Sequence, residues 1–397
     1  MTTGTGMHRN GSNRRREVSK MARKILFVIH GIAQRAPDDA TDKPRVAADG
    51  WHIDLIHNFI ALAGKHAPGV DIGLNPGLDG VKIVPLSYCD LLIEQLERWD
   101  SLGDKNVADA VAKQFPGVPA ELVNVLRDIS TADAPYFWKG GVDILLYRVF
   151  NDAAIRSHVR SQVTRALFDN AVNGVLPSCG FITHSMGTAV MHDVLAEIFA
   201  NPQEFGGFVN MDIDIYVSLA NVSKVLENVA NPQKSPVRPF GAPGIGRARC
   251  RSFVNAHHDS DPVPFLGLFK PDWDTATTPY RDVRIERIKE PNTHSYQRYL
   301  ENPRVWVPIF RTLLETSISK QQADDLIAEY DAMPAAACPQ ALDDLCQAVK
   351  GIAEAWKNRA GAVGTWQFVV ELTKARRVID EARQQCFGPG GGLGSVI

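Results

Sequence analysis

The chain has 397 residues, 45% hydrophobic and 22% charged, a composition that can bury a sizeable core and does not default to disorder. Lys and Arg number 43 against 45 Asp and Glu, and a net charge of -2 gives no field to steer the protein onto nucleic acid, so that partner is set aside. No apolar run approaches the roughly 18 to 20 residues that span a bilayer, and no transmembrane segment is expected.

Near the start stand Arg14-Arg15-Arg16, then Lys20, Arg23 and Lys24. A basic head of this kind opens export signals, but the long apolar stretch and small-residue cleavage site that a signal needs do not follow, so export by this segment is not expected. Residues 1–21 read as a disordered basic tail, with Met21 competing with Met1 as the native start. Ile25 to Ile29 is a short β-branched run ending at His30-Gly31, as a buried parallel strand should look. A polar, Asp-rich loop follows, then Trp51, Leu55, Ile56, Phe59, Ile60 and Leu62 at helical spacing. Val81 to Leu86 reads as the next strand, which completes the strand, helix, strand unit of a parallel sheet.

About ninety residues then intervene, far more than the dozen or so a crossover requires. They are patterned as helices at Leu91 to Trp99, Val107 to Phe115, Glu121 to Ile129 and Val142 to Val172. This insertion, about residues 90–175, reads equally as a lid or as helical packing on the sheet face. Cys179 to Thr183 is a third strand, Thr188 to Phe199 a helix, and Ile213 to Leu219 and Cys250 to Ala256 further strands. Asn231 to Gly246, rich in Pro and Gly, must be loop. Asp282 to Ile288 is the last strand expected, and Val305 to Leu314 a closing amphipathic helix. An α/β, doubly wound, mainly parallel sheet over residues 22–316 follows from that order. Residues 317–386 read as an Ala-rich helical extension that packs on the sheet domain or links subunits into a homo-oligomer, and 387–397 as a flexible Gly-rich tail. The six cysteines form no CxxC pair, as expected of reduced, mostly buried thiols in a cytoplasmic protein.

The residues that carry chemistry are Thr183-His184-Ser185-Met186-Gly187, between a strand and a helix. An ester-cleaving serine must sit at a sharp turn, exposed above the sheet, with the following helix pointing its amino end at the reacting group. Gly187 meets the crowding rule at such a turn, and Thr183 stands where G-x-S-x-G has its first glycine. The elbow resembles that of the α/β-hydrolase superfamily, in its esterase and lipase branches. The resemblance covers the core only and implies an α/β-hydrolase fold with Ser185 as nucleophile.

It further implies an oxyanion hole built from the backbone N–H groups of Met186 and Ile32. Ile32 follows His30-Gly31 in a segment similar to the family's strand-His-Gly signature, so His30, Gly31 and Gly187 are expected to position the turn. Each oxyanion donor contributes about 2.7 to 4 kcal/mol to the transition state in related chemistry. The family keeps its acid after a later strand, where Asp259 and Asp261 are both candidates; Asp261, before Pro262-Val263, is preferred. Either aspartate could instead cap a turn before the proline. His294, in Asn292-Thr293-His294-Ser295-Tyr296, is expected to be the base, because it alone of 11 histidines combines this place with the order Ser, Asp, His. His184 and His192 read as structural, His184 pointing away from the turn.

His257 and His258 beside the aspartates mimic a metal cluster, but neighbours on an extended chain point opposite ways, so no metal is expected. Gly241 to Gly246 lacks the Gly-Lys-Ser/Thr of a phosphate cradle, so no nucleotide is expected either, and the reaction needs no cofactor. Phe265-Leu266-Gly267-Leu268-Phe269 reads as core before it reads as an acyl pocket or a lipid-facing rim. The expected activity is hydrolysis of a small-molecule or lipid ester in two acyl-transfer steps. An acyltransferase or lipase would use the same three residues, and a silent fold of this kind would serve as a binding or scaffold module through its C-terminal helices.

Overall fold

The computed structural model describes, in the main, residues 24–31, 50–91, 152–201, 213–223, 250–259, 269–286 and 294–333, with a few positions excepted, together with short stretches and isolated positions elsewhere. Most of the 90–175 insertion, Ile32, most of the Pro- and Gly-rich linker and both terminal tails lie outside the described residues.

The strands in chain order are β1 (Lys24–Ile29), β2 (Arg35–Ala36), β3 (Arg45–Val46), β4 (Ile72–Gly73), β5 (Val81–Leu86), β6 (Cys179–His184), β7 (Ile213–Leu219), β8 (Cys250–His258) and β9 (Tyr280–Ile285). Seven of them form one sheet in the order β4-β5-β1-β6-β7-β8-β9, parallel at every pairing, where a mainly parallel sheet was expected. The short β2 and β3 pair antiparallel inside the Asp-rich stretch read as loop, because two residues each are too few to show a strand period. The last strand begins earlier than expected and ends at Ile285, three residues short of Ile288.

The helices whose ends lie among the described residues are α1 (Gly50–His66), α2 (Asp152–Asp169), α3 (Met186–Ala200), α4 (Tyr296–Leu300), α5 (Pro303–Thr312) and α6 (Lys320–Ala332). Side chains alternate across a strand, so β1 sends Leu26 and Val28 to one face and Ile25, Phe27 and Ile29 to the other. Leu55, Ile56 and Phe59 of α1 and Trp306 and Phe310 of α5 cover the first face. Ile155, Val159 and Val163 of α2 and Val190 and Val194 of α3 cover the second. This division follows from handedness. The chain runs from β1 outward to β5 through α1, then back across to β6 and on to β7 through α2 and α3, and right-handed crossovers in opposite directions place their helices on opposite faces.

Every residue of β6 and β7 is buried, as the middle of a sheet covered on both faces requires. Each fully buried Val, Leu, Ile or Phe contributes roughly 1.5–3 kcal/mol, which holds the carboxyl ends of β1 and β6 in place. Strand order reverses between β1 and β6, and in open α/β sheets the crevice outside such a reversal is where ligands bind. Pro303 opens α5 at its first turn behind Asn302, whose side chain accepts from the Arg304 N–H at 3.0 Å. Arg304 in turn pairs with Asp331 at 2.7 Å, which seats α6, the first helix of the expected extension, against α5.

Candidate active site

β6 delivers the chain to the sheet's carboxyl edge, where Ser185 turns it into α3 with φ 53 and ψ −130. A non-glycine residue held in such a conformation costs about 1–3 kcal/mol and persists only where its surroundings over-determine it. Here the Ser185 N–H donates to the Leu219 carbonyl at 3.0 Å. Its own carbonyl accepts from the Thr188 N–H at 2.9 Å and the Thr188 hydroxyl at 2.6 Å. Glycine is required beside it twice. A Cβ on Gly187 would lie 2.8 Å from the Ile29 carbonyl oxygen, and one on Gly31 would lie 2.6 Å from Ser185 Cβ and 2.8 Å from its Oγ. Thr183 replaces the usual first glycine without crowding the turn because its hydroxyl points across to β7, donating to the Val217 carbonyl at 3.0 Å.

Three stretches of chain then converge. The Ser185 Oγ lies 2.8 Å from His294 Nε2, and His294 Nδ1 lies 2.8 Å from Asp261 Oδ2. Exposure is 3% for Ser185, 6% for His294 and 0% for Asp261, so bulk water screens none of these bonds. A carboxylate only accepts, hence His294 Nδ1 donates and Nε2 keeps the lone pair that faces the serine proton. Asp259 goes elsewhere: its carboxylate takes a two-pronged bond from Arg284, at 2.7 and 2.6 Å, toward solvent. Met186 is the first residue of α3, so its N–H has no partner within the helix.

Three supports escaped sequence reasoning. The Tyr299 hydroxyl donates to Asp261 Oδ2 at 2.7 Å; burial first, then the Asp261 charge and this bond, hold that phenol well above its ordinary pKa, so it stays a donor. The Tyr88 hydroxyl donates to the His30 carbonyl at 2.8 Å and also bonds the Gly31 carbonyl, tying down the end of β1. His184, read as structural and pointing away from the turn, bonds the His294 carbonyl at 2.7 Å through Nε2, a partner the sequence did not identify. Because a carbonyl only accepts, that nitrogen is the protonated one, and Nδ1 has no hydrogen-bond partner among the described residues. The His184 ring also lies 4.7 Å from that of His30 and 4.8 Å from that of His294.

Burial, then the neighbouring His30 and His294, push the His184 pKa well below 6.5. The unfolded chain takes up a proton at this histidine near pH 6.5, and the folded chain does not until the pH is lower. This linkage leaves stability intact above about pH 6.5 and erodes it as pH falls toward the lowered folded value. His184→Gln, which keeps a donor near Nε2 but does not titrate, is expected to lose less stability than the wild type between about pH 7.5 and 5.5. Urea unfolding at the two pH values measures the difference, and equal losses would rule the linkage out.

Compared with known proteins, the chain matches no family profile and no curated protein. Among solved structures it is similar to an uncharacterized protein from Pseudomonas aeruginosa, 10% identical, with a TM-score of 0.30, over 94% of this chain and 61% of that one. The chain thus spans less than two thirds of that protein's length, and a likeness this weak carries no argument.

The remaining sequence candidates fall into place around the site. Phe269 is buried and stacks on Phe253 at 5.6 Å, so this end of the apolar run joins the core; Phe265 to Leu268 lie outside the described residues. His258 is buried, while His257 Nδ1 lies 3.6 Å from Asp282. Among the described residues no three His, Cys, Asp or Glu side chains gather as a metal ion would require. Cys179 and Cys250 are buried and form no disulfide among the described residues, and burial pushes the Cys250 thiol up to about 12. No helix among the described residues is long and apolar enough to cross a membrane.

Proposed function

We propose that the protein is a serine hydrolase of the α/β-hydrolase type, cleaving carboxylic esters through an acyl-enzyme on Ser185. The observation that carries this reading is the unbroken relay from Ser185 Oγ through His294 to Asp261, with both links at 2.8 Å. Its position at the reversal of strand order, with the amino end of α3 beside it, adds support.

In the first half-reaction Ser185 Oγ attacks the ester carbonyl carbon while His294 Nε2 takes the hydroxyl proton. The imidazolium so formed is stabilised by Asp261, and the oxyanion accepts from the N–H groups of Met186 and Ile32, worth about 2.7 to 4 kcal/mol each. Collapse of the tetrahedral species breaks the bond to the alcohol oxygen, which leaves with the proton from His294. A water molecule then attacks the acyl group, gives its proton to His294, and the acid departs as Ser185 regains its hydrogen. A base within hydrogen-bond reach contributes roughly 10² to 10⁴ in rate. The substrate is a small-molecule or lipid ester, and Cys179 and Cys250, which form no disulfide among the described residues, fit a cytoplasmic protein.

The test is labelling with a serine-reactive fluorophosphonate followed by a p-nitrophenyl ester chain-length series. Wild type is expected to label with one equivalent and Ser185→Ala not at all. Wild type that stays unlabelled would favour a scaffold, and labelling that survives the substitution would put the nucleophile elsewhere. Acyl transfer to an added alcohol in place of hydrolysis would reassign the protein as an acyltransferase.

A further inference from the structure

Resting on the hydrolase reading, we propose that Tyr299 is a positioning residue that clamps the Asp261 carboxylate in the orientation His294 needs. Asp261 Oδ2 accepts from two donors, His294 Nδ1 at 2.8 Å and the Tyr299 hydroxyl at 2.7 Å. Both donors come from one short piece of chain: His294 stands just before Ser295, the cap of α4, and Tyr299 lies within that helix. The helix is itself anchored, since the Tyr299 carbonyl accepts from the Asn302 N–H at 3.2 Å and Asn302 caps α5, whose Trp306 and Phe310 are buried against the sheet. The acid's own turn is closed from the other side by the bond from the Asp261 N–H to the His258 carbonyl at 3.0 Å. Ordering His294 therefore orders Tyr299, and the two together fix the plane of the carboxylate.

The second donor has an electronic consequence as well. A hydrogen bond from a neutral phenol draws off part of the carboxylate's charge, so Asp261 holds the imidazolium in place without competing for its proton. Among the described residues the groups facing His294 are Asp261, Ser185 and His184; His184 is faced in turn by His30 at 4.7 Å, Tyr299 at 6.1 Å and Tyr296 at 6.3 Å. The Tyr299 hydroxyl touches the acid directly, so a substitution that removes only that oxygen tests the effect.

Tyr299→Phe removes one oxygen and keeps the ring. It is expected to lower kcat about tenfold with KM changed less than about twofold, as the loss of one hydrogen bond to a charged group implies. With one donor fewer, the carboxylate stabilises the imidazolium more strongly, so the acid limb of the kcat/KM profile moves to higher pH. The proton shared by His294 and Asp261 moves further downfield in the NMR spectrum, a readout that needs no turnover. In an Asp261→Asn background, where both the charge and the shared proton are gone, the Tyr299→Phe change should leave the acid limb unmoved. A fall in kcat with the pH limb and the resonance unmoved would reduce Tyr299 to packing and overturn the clamp. A wild type that never reacts with the fluorophosphonate, but whose resonance shifts as stated in the Phe variant, would overturn the hydrolase reading and leave the clamp standing.

Discussion

His294→Ala is expected to lower kcat on a p-nitrophenyl ester by about a millionfold, and Ser185→Ala by as much, because nucleophile and base act as one unit. The Ser185 hydroxyl is a poor nucleophile with its proton on, and the His294 Nε2 lone pair 2.8 Å away is the acceptor the geometry offers it. His184, whose ring is 4.8 Å from that of His294, cannot take over, since its protonated Nε2 is committed to the His294 carbonyl and burial holds the ring neutral. The double substitution should therefore cost no more than either single one. What survives is catalysis by the oxyanion donors and by binding, roughly 10³ to 10⁴ over water. Steady-state kinetics on the three variants decide the matter: a His294→Ala enzyme within tenfold of wild type would place the base elsewhere, and additive losses would mean that the two residues serve separate steps.

The parts of this architecture that could be read from the amino-acid order are those encoded locally. β5 and β7 have the bounds expected of them, Val81–Leu86 and Ile213–Leu219, because apolar residues begin and end both runs, although β5 carries Lys82 and β7 carries Asp214 and Ser218. The turn at Ser185 announces itself through Gly187, since nothing larger fits against the Ile29 and His30 carbonyls. β4 carries two residues, Ile72 and Gly73, and leaves no period to detect. The supports of the site are illegible for a different reason. Tyr88, His184 and Tyr299 are ordinary residues in ordinary local contexts, and their importance arises only when distant segments bring a carbonyl or a carboxylate to them. Thr183 is the intermediate case: it departs from the usual glycine, and the explanation lies on the neighbouring strand, in the Val217 carbonyl.

The choice between two aspartates only two positions apart rests on that same tertiary information, and it yields the second large effect. Asp261→Asn is expected to lower kcat about 10⁴-fold with the fold intact. Asparagine has no charge to stabilise the imidazolium, and its amide hydrogens compete to face His294 Nδ1, which would force the proton to Nε2 and remove the acceptor that Ser185 needs. Asp261 is fully buried, so no solvent ion replaces what is lost. Asp259→Asn should stay within about twofold of wild type, because its partner Arg284 is exposed and such surface pairs contribute little. Both variants differ from wild type by a single isosteric change, and kcat measured across pH separates them: a large loss at Asp259 with none at Asp261 would mean that the acid turn rearranges when substrate binds, bringing the Arg284-held carboxylate to the imidazole.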